Sequence, residues 1–153
     1  MSDRQSHVDA QEVAESVGAA IGRRDGVARM LGMDLEEIRP GYARLRMTVR
    51  PDMVNGHGIG HGAMTFALAD TCFAYAGNSR DRATVAQHCS ITFLRPTRPG
   101  DVLTAEAAEQ GVFGRTGIYD ITVTNQKGEV VALFRGQGRA VADTAETDLA
   151  AKD

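Results

Sequence analysis

The chain has 153 residues, 42% of them hydrophobic, and a formal net charge of −3, which suits one ordinary domain around a single buried core and is too little for two. Its 17 Lys and Arg are scattered and outnumbered by 20 Asp and Glu, so neither the basic footprint of a nucleic-acid binder nor a patch for an anionic membrane is present. The two cysteines, Cys72 and Cys89, each lie in an apolar run, which excludes a disulfide framework and CxxC metal spacing and marks them as buried free thiols.

Residues 1–8 are polar and without a sustained period and are expected to be disordered, as is the Ala, Asp and Glu-rich tail over residues 143–153. No signal-peptide core and no stretch of transmembrane length occurs, so a cytoplasmic protein is expected. From Asp9 to Leu31 the pattern is helical, with Val13, Val17, Ala20 and Ile21 on one stripe and Gly18, Gly22 and Gly26 loosening it. It predicts an amphipathic packing helix.

From Gly41 to Arg50 alternation is clean: Ala43, Leu45, Met47 and Val49 point one way and Arg44, Arg46, Thr48 and Arg50 the other. A half-buried strand follows. Pro51 ends it, the glycine-rich segment Asn55-Gly-His-Gly-Ile-Gly-His-Gly62 comes next, and Ala63 to Asn78 then reads as a helix apolar on nearly every side. His57 and His61 are four apart, but the glycines around them argue against a helical metal site. No metal is expected.

Asp70 stands inside that apolar helix, and its helical neighbours Ala63, Phe66, Ala67, Phe73, Ala74 and Gly77 offer it no partner. A carboxylate in such a setting needs hydrogen bonds from another element, and desolvated carboxylates are candidate catalytic groups. The competing reading is a carboxylate on a solvated edge, capping another segment. At the helix start, the first amides lack intrahelical acceptors and flexible glycines let a carbonyl approach, an arrangement suited either to a developing oxyanion or to a tight strand-to-helix connection.

Four further strand-like runs follow, Ala83 to Leu94, Val102 to Gln110, Arg115 to Asn125 and Val130 to Val141, each separated by Gly or Pro-bearing turns. One long helix followed by antiparallel strands predicts an α+β architecture, a curved antiparallel sheet wrapped around a long central helix, over residues 9–142. No internal repeat is present.

The segment from Asn55 to Asp70 resembles the active-site segment of the hotdog-fold acyl-CoA thioesterases. The strands Ile91-Thr-Phe-Leu-Arg-Pro96, Pro99-Gly-Asp101, Gly114-Arg-Thr-Gly-Ile-Tyr-Asp120 and Val131-Ala-Leu-Phe-Arg-Gly136 extend the likeness to the phenylacetate-degradation (PaaI) group. The resemblance implies the hotdog fold and hydrolysis of an aryl-acetyl-CoA, such as phenylacetyl-CoA or hydroxyphenylacetyl-CoA, to free acid and coenzyme A. It matches Asp70 to the family's general base or nucleophile, Gly62 to the backbone oxyanion donor, His61 to the histidine near the thioester, and Asn55 to the residue orienting water or carboxylate. Where many relatives have His-Gly-Gly, this chain has His61-Gly62-Ala63, which keeps the amide.

The resemblance further implies an active site assembled across a homodimer, with homotetramers as a family expectation. Gln87 and His88 would contribute from the partner strand, and Arg95, Gly114, Arg115 and Thr116 match positions that meet coenzyme A, where Arg suits phosphate. Val54 and Phe66, with Met64, Phe73 and Tyr75, are candidate acyl-pocket walls, although each is also an ordinary core residue. No cofactor is implied, coenzyme A being part of the substrate. Two other readings use the same fold, a hydratase or dehydratase and a non-catalytic acyl-CoA-binding domain; the Asn55 to Asp70 spacing favours hydrolysis, and no basic DNA-binding segment is present.

Overall fold

The computed structural model describes residues 2–142, so the predicted disorder of residues 143–153 lies outside the described residues. Two helices open the chain, α1 Ser2–Arg24 and α2 Gly26–Leu31. The single predicted helix is thus divided at Asp25, which adopts extended backbone and caps α2 by accepting the Ala28 amide at 2.9 Å. α1 also begins at Ser2 rather than Asp9, because Ser2 to Val17 contains neither Gly nor Pro to interrupt it. Ala14, Val17 and Ala20 form its buried stripe, while Val13, placed on that stripe by the sequence pattern, is 37% exposed.

Six strands make one antiparallel sheet: β1 Asp34–Arg39, β2 Tyr42–Thr48, β3 Thr84–Phe93, β4 Val102–Phe113, β5 Thr116–Thr124 and β6 Val130–Ala140. Their spatial order is β1-β2-β4-β5-β6-β3, which leaves β1 and β3 as edges. The sequence pattern missed β1 because its two-residue period is interrupted by a register shift between Leu35 and Glu37 and because acids fill half of it.

The long helix α3, Gly62–Asn78, lies across the concave face. Its buried side, with Thr65, Leu68, Ala69, Cys72 and Ala76, packs on Ala43, Leu45 and Met47 of β2, Leu103, Ala105 and Ala107 of β4, and Ile121 and Val123 of β5. Even the Cys72 thiol is paired, with Sγ 3.3 Å from the carbonyls of Ala43 and Ala105. Burying a residue as large as Leu68 or Leu45 contributes about 1.5–3 kcal/mol each, so this layer fixes where α3 sits. The predicted all-round cover of α3 is incomplete: Ala63 is exposed, and Ala67, Asp70 and Ala74 are only partly covered on the side away from the sheet.

Candidate active site

The approach to α3 is held by backbone. The Val54–Gly60 bridge closes a loop in which the Asn55 amide donates to the Ile59 carbonyl at 2.8 Å, and Asn55 Oδ1 accepts the His57 amide at 2.9 Å. The His61 amide donates to Met53 O at 2.7 Å, which seats His61 as the N-cap of α3. His61 Nδ1 then accepts the Ala63 amide at 3.1 Å, and the His61 carbonyl accepts the Met64 amide at 2.9 Å. An accepting Nδ1 places the proton of the neutral ring on Nε2.

Capping therefore occupies the second and third amides of α3, and the Gly62 amide has no acceptor among the described residues. It borders a cleft of about 510 Å³ whose walls include Asn55, Thr65, Phe93, Arg95 and Thr97. An unpaired amide at the positive end of a 17-residue helix can hold negative charge developing on a carbonyl oxygen.

Asp70 lies two turns further along. Among the described residues its one partner is Cys89 of β3, with Sγ 4.0 Å from Oδ1. Burial raises the Asp70 pKa above the ordinary carboxylate range, and the nearby Asp25 charge adds to the effect. The carboxylate borders a second cavity of about 230 Å³, walled by Phe73, Ala74, Gly77, Thr84, Val85 and Ala86 among others. A desolvated carboxylate of raised pKa is a stronger proton acceptor than a solvated one.

These two halves do not meet within one chain. Asp70 is eight helical steps beyond Gly62, a rise of about 12 Å, and the two border different cavities. Of the candidates for coenzyme A and for the partner strand, only Arg95 borders either cavity. Arg95 borders the Gly62 cleft, donates Nη1 to the Val130 carbonyl at 2.9 Å and pairs with Glu129 at 3.4 Å. Gly114 and Arg115 form the β4–β5 turn, with Gly114 at φ 63°, and Thr116 opens β5; Arg115 shares a polar cavity of about 190 Å³ with Arg82, whose guanidinium donates to Gly114 O. Gln87 and His88 are exposed on β3 beside a bulge, and Gln87 accepts from Gln137 at 3.2 Å.

Val54 is committed to the loop-closing bridge, and Phe66 packs edge-on against Phe134 at 5.2 Å, so neither borders the Asp70 cavity; of the apolar candidates, Phe73 does. Sequence reading took Cys89 as a buried free thiol, whereas it is only partly covered, and gave Phe93 no role. Both lie at two-residue spacing with Ile91, the signal that would have turned them toward α3 together.

The sequence matches the Thioesterase superfamily over residues 57–132. It is 46% identical over 125 residues to the acyl-coenzyme A thioesterase PaaI of Escherichia coli, a match spanning 82% of this chain and 89% of that one. The chain belongs to the hotdog-fold acyl-CoA thioesterases, in the PaaI group. Its structure agrees with that of the E. coli PaaI protein from the phenylacetic acid degradation operon with a TM-score of 0.86 at 43% identity, covering 88% of this chain and 97% of that one. A mutant of the phenylacetic acid degradation protein PaaI from Thermus thermophilus superposes with a TM-score of 0.74 at 35% identity, covering 76% and 100%. This thioesterase is accordingly an acyl-CoA thioester hydrolase with the predicted fold, its sheet curved around α3 without closing into a barrel. Among the described residues no helix is long and apolar enough to cross a membrane.

Proposed function

We propose that this thioesterase hydrolyses aryl-acetyl-CoA esters, of the phenylacetyl or hydroxyphenylacetyl class, in two sites per homodimer that each combine Asp70 of one copy with Asn55, His61 and Gly62 of the other. The observation that carries the reading is the separation of Asp70 from Gly62 along α3, with the unpaired edge of β3 running between their cavities. β3 borders the Asp70 cavity at its start, through Thr84 to Ala86, and the Gly62 cleft at its end, through Phe93. Antiparallel self-pairing about the middle of the strand brings the start of one copy beside the end of the other. Each Asp70 then faces the Gly62 amide of the second copy.

In that arrangement the thioester carbonyl oxygen accepts the Gly62 N–H, and Asn55 orients the attacking water. Asp70 takes a proton from this water as it adds to the carbonyl carbon, and collapse of the tetrahedral intermediate expels coenzyme A thiolate. Direct attack by Asp70, giving an anhydride that water then cleaves, uses the same groups. The apolar Phe73, Ala74 and Val85 suit an aromatic acyl group, while Arg95 and Arg115 suit phosphates. The PaaI relatives support the substrate class through the phenylacetic acid degradation in their names. A cytoplasmic location fits an acyl-CoA substrate, and pairing of dimers into tetramers remains a separate proposal that a sizing column tests.

The test is complementation. Asp70→Asn and Asn55→Ala chains are each expected to be nearly inactive on phenylacetyl-CoA. Unfolded and refolded together, they collect both lesions in one site of each heterodimer and leave the other intact, so about a quarter of wild-type activity returns. No recovery in verified heterodimers would rule out the two-copy site. A panel of aryl-acetyl, benzoyl, short-chain and long-chain acyl-CoAs, followed by thiol release, tests the substrate class.

A further inference from the structure

We infer that Phe93 is a specificity-determining residue, an aromatic wall that one copy lends to the acyl pocket of the other, and that Gly62 must be glycine because the Phe93 ring rests on it. The inference depends on the two-copy site proposed above.

A Cβ built on Gly62 would stand 2.9 Å from Phe93 Cζ and 3.2 Å from Cε1, so the ring lies against the backbone that presents the free amide. Phe93 is nonetheless 51% exposed, and it has no ring partner among the described residues, unlike Phe66 and Phe73. It is an apolar plate with one face on the oxyanion donor and the other unspent, at the end of the sheet's bare edge.

Two consequences follow from that position. The ring excludes water from one side of the Gly62 amide, which strengthens a hydrogen bond from that amide to a carbonyl. In the antiparallel self-pairing of β3, Phe93 of one copy also comes beside Thr84 and Val85 of the other. Those residues line the Asp70 cavity. An acyl group held beside Asp70 thus meets the exposed Phe93 ring of the second copy. Offset or edge contacts favour a flat aromatic ring over a flexible alkyl chain of the same volume.

The test uses the full chain with Phe93→Ala, Phe93→Leu, Gly62→Ala and the double variant Gly62→Ala with Phe93→Ala, assayed on phenylacetyl-CoA and hexanoyl-CoA. Phe93→Ala should lower the ratio of kcat/KM for phenylacetyl-CoA over hexanoyl-CoA by about tenfold. Phe93→Leu keeps apolar bulk and folding but should lower the ratio comparably. Gly62→Ala should reduce kcat by about tenfold or more with Phe93 present, and by less than about threefold in the Phe93→Ala background, where the ring it would displace is gone.

A folded Phe93→Leu protein with the wild-type ratio, or a Gly62→Ala penalty equal in both backgrounds, would overturn the inference while leaving the thioesterase reading intact. A wild-type protein that releases thiol from neither substrate would overturn the proposed substrate class and this inference together. An altered ratio in Phe93→Leu with partial rescue in the double variant supports both parts.

Discussion

Gly60 and Thr97 interlock: the Gly60 amide donates to the Thr97 carbonyl at 2.7 Å, and a Cβ on Gly60 would fall 1.8 Å from Thr97 Oγ1. Thr97 is 4% exposed, so it has little room to retreat. Gly60→Ala is expected to destabilise the protein by about 1–3 kcal/mol and to loosen the loop that carries Asn55. Thr97→Ala removes the nearest clashing atom and should recover part of the loss. Thermal melts of the two single variants and the double variant check this; strictly additive losses would contradict it.

The raised pKa of Asp70 sets the sign of two pH effects. In the proposed role of base or nucleophile Asp70 works ionised, so kcat/KM should rise with pH through a value above the ordinary carboxylate range. Its folded pKa exceeds its unfolded one, so the folded state binds the extra proton and the group favours folding below the unfolded pKa. That favour is lost as pH rises through the folded pKa. Asp70→Asn should therefore raise Tm at pH 7 and have little effect near pH 3, while lowering turnover by about a hundredfold or more. A destabilised Asp70→Asn protein at pH 7 would contradict the burial argument.

The two thiols should differ in reactivity. Burial pushes the Cys72 thiol up to about 12, and its sulfur is shielded beneath α3, whereas Cys89 is only partly covered beside Asp70. Burial and the Asp70 charge also raise the Cys89 thiol, so a thiol reagent at pH 8 should label Cys89 slowly in the native protein and reach Cys72 only after unfolding. Because Cys89 faces Asp70, labelling should also abolish thioester hydrolysis. Mass spectrometry of the modified peptide reads the outcome, and native labelling of Cys72 would contradict it.

On the outer face of the sheet, Arg135 grips Asp120 with Nε and Nη2 at 2.6 and 2.8 Å. The guanidinium holds the Asp120 carboxyl below its ordinary range. A folded pKa below the unfolded one gives stability that is present above the unfolded value and lost as pH falls through the folded one. Both groups are exposed, so Asp120→Asn should cost less than about 1 kcal/mol at pH 7, and nothing in strong acid. Urea melts at the two pH values check it.

Much of this arrangement was legible from residue pattern. The alternation of Ala43, Leu45, Met47 and Val49 located β2, and the apolar run around Asp70 located α3. β1 escaped because its bulge breaks the two-residue period and its acids disguise it. The break at Asp25 escaped because helical periodicity continues through a residue that caps one helix as the previous one ends. Glycine-rich composition around His61 announced a tight connection, but only the assigned acceptors for Ala63 and Met64 reveal which amide is left over. The distance between Asp70 and Gly62 follows from helix geometry alone. The ring of Phe93 on Gly62 is a contact between residues 31 apart in sequence, which no local pattern encodes.

The two margins of the sheet are unequal. Along β1, Glu36 and Glu37 are tied to Arg39, Arg44 and Arg46 in a lattice of opposite charges, whereas β3 offers ten residues of open backbone carrying Val85 and Phe93. A sheet welcoming at both margins would polymerise, each copy templating the next. Here one margin is guarded, so in the proposed joining along β3 no second open margin is left for further strand addition, and a concentrated solution of this protein should yield discrete particles rather than fibres.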